Sequence, residues 1–325
     1  MRSMFQMQSI YRRAAVLIAV ALLAAPALAQ DRPKVRGGSL TLPVLAPLVM
    51  NVMKEKGLDA KHGFDLEIKP YPSIAAYYAA LATGEIDALM GGPTVMQKLR
   101  TEGAPVRIAA TGLRLSDLVI MTTNPAIRSL ADLKGKQLAA DMGSGQYQVV
   151  SIYARSKGLS MGSDITVVNA NFGLARSQLA ASRVDAAMVI EPIATLMLRE
   201  NKDLKIIFNG ATAWKEVTGN EGWELVLSIR EDFSKKGDLP RRLIAAMQDV
   251  AALMRSNLDE VDAIAARTIK LPAGVLKDAV SGKRLELDVQ PAWGPEKKVI
   301  WDMFERAVAA KFLDKMPDDG IIYTP

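Results

Sequence analysis

Two glycine-containing loops supply backbone N–H groups that could hold a small ligand. Gly143-Ser144-Gly145-Gln146 and Gly91-Gly92-Pro93-Thr94 each follow a short apolar run and precede a helical pattern. Glycines let the backbone approach a ligand closely, and the free N–H groups at a helix start carry partial positive charge. The first loop lacks the lysine of a phosphate-binding P-loop and the spacing of a dinucleotide site. It is therefore either an anion-binding site or a plain tight turn.

Three more segments follow predicted strands and join the candidate site. They are Val44-Leu45-Ala46, Tyr71-Pro72-Ser73 and Glu191-Pro192. Ligands of open α/β sheets bind outside the carboxyl ends of the strands, so a ligand between two such sheets would reach all of these loops. Glu191 either binds an amine or hydroxyl group of the ligand or caps the helix that follows it.

Arg114 and Trp214 complete the candidate ligand-binding residues. Arg114 follows a predicted strand where the chain must leave the first sheet, and it either clamps a carboxylate or sulfonate or is a solvated hinge charge. Trp214, Trp223, Tyr71 and Tyr147 either line a cleft or belong to the core. Glu191 and Arg114 would together select the charge of the ligand.

The sequence offers little to an enzyme. It has no cysteine and one histidine, His62, which lies in a polar turn typical of the surface. Neither a carboxylate pair nor a metal-ligand spacing stands out. We therefore expect no catalytic residue, no metal and no cofactor.

Short apolar runs alternate with helical patterns, which predicts parallel α/β architecture. The first strand is predicted at residues 39–44, with a helix at 47–56, and the chain is mostly helical after residue 240. Residues 81–88 and 179–186 repeat one pattern of helix end, tight turn and strand entry. The repeat is either a common helix-to-strand turn or the sign of two lobes built on similar doubly wound sheets.

Residues 1–29 have the three parts of a secretory signal. Arg2, Arg12 and Arg13 precede an apolar run of a dozen residues, and Ala27-Leu28-Ala29 provides a cleavage site. The alternative, an uncleaved membrane anchor, is disfavoured because the run is short. Removing the three arginines lowers the formal net charge from +6 to +3, so nothing favours a nucleic-acid partner.

Four motifs resemble the periplasmic binding proteins of the nitrate, sulfonate and taurine type, a group that includes receptors for thiamine precursors. These motifs lie at residues 84–88, 103–110, 127–136 and 184–192, the most specific being Ile127-Arg-Ser-Leu-Ala-Asp-Leu-Lys-Gly-Lys136. The first ligand loop is more apolar than in many members of this group. The cysteine-rich motif of the enzymes that make thiamine precursors is missing.

The resemblance implies a type 2 binding-protein fold with two lobes, two crossovers and a helical C-terminal part. Residues 38–114 and 222–325 would form lobe 1, residues 115–210 lobe 2, and residues 211–221 the second crossover. It further implies a monomer in the periplasm that captures a small anionic solute and delivers it to the membrane permease of an ATP-driven importer. A sensor or a periplasmic enzyme on the same scaffold is the alternative.

Overall fold

The computed structural model describes residues 32–325, so the predicted secretory signal lies outside the described residues. Within this range the chain forms ten strands: β1 Lys34–Leu40, β2 Asp65–Tyr71, β3 Ala88–Gly91, β4 Val106–Arg114, β5 Leu118–Thr122, β6 Gln137–Ala140, β7 Thr166–Asn169, β8 Ala186–Ile190, β9 Lys205–Asn209 and β10 Trp223–Arg230. The same range forms twelve helices: α1 Leu45–Glu55, α2 Leu58–Lys61, α3 Ile74–Thr83, α4 Pro93–Thr101, α5 Gly145–Ser156, α6 Phe172–Ala180, α7 Ile193–Glu200, α8 Gly210–Thr218, α9 Leu239–Ser256, α10 Leu258–Thr268, α11 Val275–Ser281 and α12 Glu296–Ala309. None of these helices is both long enough and apolar enough to cross a membrane.

The strands form two five-stranded sheets, one in each lobe. The order is β2-β1-β3-β10-β4 in the first sheet and β7-β6-β8-β5-β9 in the second. In each sheet one strand, β10 or β5, enters from the other lobe and runs antiparallel to both neighbours. The chain crosses between the lobes through a single turn at residues 115–117 and again through α8. The predicted class, two doubly wound α/β lobes with two crossovers and a helical C-terminal part, is confirmed. The residue bounds of the lobes stay a prediction.

The repeated sequence pattern corresponds to a repeated hydrogen-bonding arrangement. Asp87 accepts a hydrogen bond from the Arg36 backbone N–H at 2.8 Å, at the start of β3. Asp185 accepts one from the Gln137 backbone N–H, also at 2.8 Å, at the start of β8. Each aspartate thus joins the entry of one strand to the neighbouring strand, which supports the interpretation of two similar lobes.

The first strand differs from its prediction. It was expected at residues 39–44, but β1 covers Lys34–Leu40 and pairs with β2 over seven positions. Gly37 and Gly38 fit within the strand because large side chains occupy the space of the missing Cβ atoms. A Cβ atom on Gly38 would lie 2.6 Å from the Ile86 Cδ1 atom. Val44 is therefore the residue before α1 and not the end of a strand.

Trp214 packs within the hinge. It is fully buried on α8, and Leu115 and Gly222 pack closely against this region. The Asn209 side chain donates to the Ser116 carbonyl oxygen at 2.8 Å and joins the two crossovers. Gly222 has a φ of 65°, a left-handed conformation that favours glycine. Trp214 is consequently a core residue of the hinge and does not line the cavity described below.

The C-terminal part returns along β4 and reaches the second lobe. The Thr111 N–H donates to Gln290 and the Asp288 N–H donates to Gly112, both at 2.8 Å. This places the segment around Arg284 between the lobes, where it contacts α7.

Candidate ligand-binding site

The two predicted glycine loops meet between the lobes. Gly92 immediately precedes α4 in the first lobe, and Gly145 begins α5 in the second. A Cβ atom on Gly92 would lie 3.0 Å from the Gly145 Cα atom, and a Cβ atom on Gly145 would lie 3.0 Å from the Gly92 Cα atom. Any larger side chain would push the loops apart, so glycine on both sides permits this approach of the lobes.

An enclosed cavity of about 30 Å³ lies between the lobes. A space of this size holds a group about as large as a water molecule. Its walls come from the first lobe, the first crossover and the second lobe: Leu40, Val44, Leu45, Tyr77, Tyr78, Asp117, Gln146, Phe172 and Ile190. Since both lobes contribute, the distance between the lobes determines the size of the cavity.

Two carboxyl groups lie together beside this cavity. Asp117, in the first crossover, lines the cavity and is 1 % exposed, and its neighbour Glu224, on β10, is 2 % exposed. The Gln146 side-chain amide donates a hydrogen bond to Glu224 from the second lobe. Apart from a proton shared between the two carboxyl groups, both Asp117 oxygens and the Glu224 Oε2 atom have no hydrogen-bond donor among the described residues. This pair did not stand out in the sequence, because Asp117 and Glu224 are far apart along the chain and β10 brings Glu224 to the end of the first crossover.

The environment of the pair disfavours two negative charges. Burial raises the pKa of Glu224 to about 7. Burial and repulsion from Glu224 raise the pKa of Asp117 well above its usual range. The two groups lie within hydrogen-bond reach of each other, so they titrate as a pair. At neutral pH the pair therefore retains a proton, and it can exchange that proton for a cation.

Glu191 acts as a cap and as an ion-pair partner. It is 0 % exposed, and its Oε2 atom accepts a hydrogen bond from the Thr195 N–H at 2.9 Å at the start of α7. Its Oε1 atom accepts a 2.6 Å bond from the Arg284 Nε atom. Arg284 also donates to the Thr195 hydroxyl at 2.7 Å. The helix-capping interpretation of Glu191 describes these contacts, but no sequence pattern pointed to Arg284 as its partner.

Ser144 also directs its side chain to its own loop. Its hydroxyl donates to the Asp141 carbonyl oxygen at 2.7 Å and accepts from the Tyr147 N–H at 3.1 Å. The tight turn, one of the two interpretations of this loop, is therefore present, and Ser144 in addition caps α5. In the first lobe, the Gly92 N–H donates to the Tyr78 hydroxyl at 3.0 Å. These contacts occupy several of the donors and acceptors that the sequence offered to a ligand.

Arg114 points toward the C-terminal part. Its guanidinium group lies 2.5 Å from the Asp288 carboxylate and stacks over the Trp223 ring, 3.7 Å from the ring centroid. The positive charge of Arg114 is thus compensated by Asp288, and Arg114 is not among the residues that line the cavity.

Four other predicted residues make local contacts. The Tyr71 hydroxyl donates to Glu85 at 2.8 Å, and Ser73 caps α3 by accepting from the Ala76 N–H at 3.2 Å. Pro93 and Thr94 form the first turn of α4, and Thr94 is buried with a hydroxyl that has no partner among the described residues.

Among the predicted residues, the structure brings Val44, Leu45 and Gln146 to the cavity and Gly92 and Gly145 to its edge. Gly91 ends β3 just before these contacts. Contact of these residues with a ligand stays a prediction.

Sequence reasoning missed the side chains that give the cavity its chemistry. Tyr77 and Tyr78 lie on α3, Phe172 begins α6, and Asp117 and Glu224 provide the carboxyl groups. One signal was available for Glu224, because it is the only charged residue within the mostly apolar predicted strand Trp223–Ile229. An acidic residue in a buried strand requires a partner or a function.

The chain matches the family model described as NMT1/THI5 like over residues 46–263. A predicted binding protein of Brucella abortus is 23 % identical to it over 272 residues, which cover 83 % of this chain and 82 % of that protein.

Solved structures share the fold. The periplasmic aliphatic sulphonate binding protein of Escherichia coli superposes with a TM-score of 0.73 at 19 % identity, covering 90 % of this chain and 92 % of that one. The periplasmic nitrate-binding protein of Synechocystis PCC 6803 gives a TM-score of 0.69 at 16 % identity, covering 87 % and 83 %.

Proposed function

Because the chain belongs to the NMT1/THI5-like family, we propose that it is a periplasmic receptor that holds a small solute between its lobes and delivers it to an ATP-driven importer. The observation that carries the proposal is the meeting of Gly92 and Gly145 beside a cavity walled by both lobes. Binding proteins of known fold among the similar structures support this reading. The predicted secretory signal supports the periplasmic location.

Closure of the lobes supplies the mechanism. The crossovers are one turn at residues 115–117 and the helix α8, so few backbone torsions need to change for the lobes to separate. The cavity as it stands has room for a water-sized group, and a larger solute enters only when the lobes move apart. A solute that contacts both lobes then stabilises the closed form.

Binding, and not catalysis, is the role we propose for the cavity. His62, the single histidine, lies 2.7 Å from Asp249 on the first lobe and does not line the cavity. No group of three metal-ligating side chains occurs among residues 32–325. Among the described residues, the wall of the cavity contains no serine, threonine, lysine or histidine side chain beside the carboxyl pair of Asp117 and Glu224.

Two observations point to opposite charges for the solute. Similar proteins named for sulfonates and nitrate favour an anion, as the sequence analysis expected. The carboxyl groups of Asp117 and Glu224 favour a cation.

The proposal is tested with the chain lacking its first 29 residues. A solute at 100 times its Kd should stabilise the folded protein by about 2.7 kcal/mol, which a thermal melt detects. Small-angle scattering should show a smaller radius of gyration with that solute than without it. Stimulation of ATP hydrolysis by the reconstituted permease complex would then separate an import receptor from a sensor. The proposal fails if a broad library of anions, cations and neutral metabolites leaves the melting temperature unchanged.

A further inference from the structure

We infer that the cavity between the lobes receives a small organic cation, bound through an ammonium, guanidinium or amidinium group by Asp117 and Glu224. This inference rests on the proposed function, because it names the class of solute that the same cavity takes. It departs from the anion that the sequence analysis expected.

Asp117 lines the cavity, and Glu224 lies beside Asp117. Both Asp117 oxygens and the Glu224 Oε2 atom lack an N–H or O–H donor from any other group among the described residues, so the single proton that the two carboxyl groups share is the only donor available to them. Both side chains are almost completely buried, so solvent does not compensate them. Buried oxygens of this kind require hydrogen-bond donors. An ammonium or guanidinium group supplies several N–H donors and a compensating charge at once.

No basic side chain is available to an anion at this position. Arg114 is paired with Asp288, and Arg284 is paired with Glu191. Neither arginine lines the cavity, and no lysine or arginine does so within the described part of the chain. An anion would have to be placed beside two carboxyl groups with only helix N-termini to favour it. Removing a charged group from water without compensation is costly, and like charges at close range add to this cost.

The donors at the helix starts are already partly used. The Gly92 N–H donates to the Tyr78 hydroxyl, and the Tyr147 N–H donates to the Ser144 hydroxyl. The feature that first suggested an anion is therefore satisfied within the protein.

The remaining wall suits an organic skeleton. Val44 and Tyr77 from the first lobe and Phe172 from the second line the cavity with apolar surface. Aromatic rings also attract cations through their faces. The wall thus fits an apolar or aromatic group attached to the charged nitrogen. Because this cavity is small, the lobes would close on the bound solute slightly less completely than they do in this structure, which leaves room for the skeleton.

The experiment compares matched probes on the mature protein. Butylammonium, butylguanidinium and benzamidinium are tested against butanesulfonate, nitrate and 1-butanol by thermal melting and isothermal titration calorimetry at pH 8. We expect at least one of the three cations to raise the melting temperature, and the anions and the alcohol to leave it unchanged. We also expect cation binding below pH 7 to release protons, measured as a dependence of the binding enthalpy on the buffer.

Two isosteric variants locate the site. Asp117→Asn and Glu224→Gln keep the shape of the side chains and remove a buried charge, so each variant should fold. Each should weaken binding of the cation at least 100-fold, because one charge partner of a buried pair is lost. Asp314→Asn, which removes an exposed carboxylate outside the cavity, should bind as the wild type does.

The outcomes separate the inference from the proposed function. Binding of butanesulfonate or nitrate, with no response to any of the three cations, would overturn the cation assignment and leave the receptor function standing. Cation binding that survives both Asp117→Asn and Glu224→Gln would place the cation elsewhere and equally overturn it. If none of these six probes changes the melting temperature, the inference is overturned. If a broad metabolite library also leaves the melting temperature unchanged, the receptor function is overturned as well.

Discussion

Replacing Glu224 by glutamine should stabilise the free protein at neutral and alkaline pH. Burial raises the pKa of Glu224 from its ordinary value of 4.5 to about 7. Between these values the folded state binds more protons than the unfolded state, so the stability of the wild type falls as the pH rises through this range. At about 1.36 kcal/mol per pH unit, the loss amounts to about 3 kcal/mol by pH 8. Glu224→Gln removes this loss.

The hydrogen bond that holds the side chain should survive the substitution. Gln146 now donates to Glu224, and its amide can rotate to pair with a glutamine. The shape of the site is also kept, so the change in stability reports mainly the buried charge. The ionisable groups near Glu224 are its partner Asp117 and Tyr78, and Glu191 lies near Asp117; all three remain in the variant.

Urea unfolding of the free protein from pH 4.5 to pH 8 measures the effect. We expect the two proteins to have similar free energies of unfolding near pH 4.5 and to diverge by about 3 kcal/mol above pH 7, with the variant more stable. Asp314→Asn serves as the control for loss of an exposed carboxylate and should follow the wild type. Parallel curves for wild type and Glu224→Gln across this range would contradict a buried, uncompensated carboxyl group at position 224.

Further predictions concern closure, the buried ion pair and the helix cap. Gly145→Val should keep the lobes apart and weaken solute binding at least tenfold, because a Cβ atom on residue 145 would lie 3.0 Å from the Gly92 Cα atom. The control is Gly143→Val, whose Cβ atom would come no closer than 3.5 Å to a neighbouring atom. This variant should bind the solute normally in the same titration. Arg284→Met should lower the free energy of unfolding by about 3 kcal/mol because it leaves the Glu191 carboxylate buried without its cation, and adding Glu191→Gln should restore part of the loss in urea unfolding. Ser144→Ala should cost about 1 kcal/mol of stability through loss of the cap of α5, and an unchanged urea midpoint would contradict that role.

The fold was predictable because its signals are local. Each strand and helix is marked by a short apolar run or by helical periodicity, and the two lobes repeat the turn that leads to Asp87 and Asp185. One departure was β1, which was predicted at residues 39–44 and covers Lys34–Leu40. The place of Gly38 in this strand depends on Ile86 and Tyr77, which pack against it and come from distant positions of the chain. Local patterns carry no information on such packing.

The sequence predicted the position of the candidate site between the lobes, but it did not predict which charged side chains lie there. The strand-end rule led to Gly92 and Gly145, which do meet between the lobes. Asp117 and Glu224 are far apart in sequence, and they meet only because β10 returns to the first sheet beside the crossover. For Arg114 the sequence could not reveal Asp288, which neutralises it from the C-terminal part. The charge of a cavity depends on these pairings, so composition alone could not supply it.

The carboxyl pair also connects solute binding to closure. Asp117 belongs to the first crossover, Glu224 to the first lobe, and Gln146 reaches Glu224 from the second lobe. Without a cation, closure buries two carboxyl groups that repel each other unless a proton stays between them. A bound cation, as proposed, would remove this repulsion in the closed form and would have much less effect in an open form, where water would surround both groups. A ligand shifts an equilibrium only by its differential affinity for the two states, and this arrangement would provide such a difference. The shared fold thus determines where a solute is held, while a few side chains determine which solute drives the lobes together.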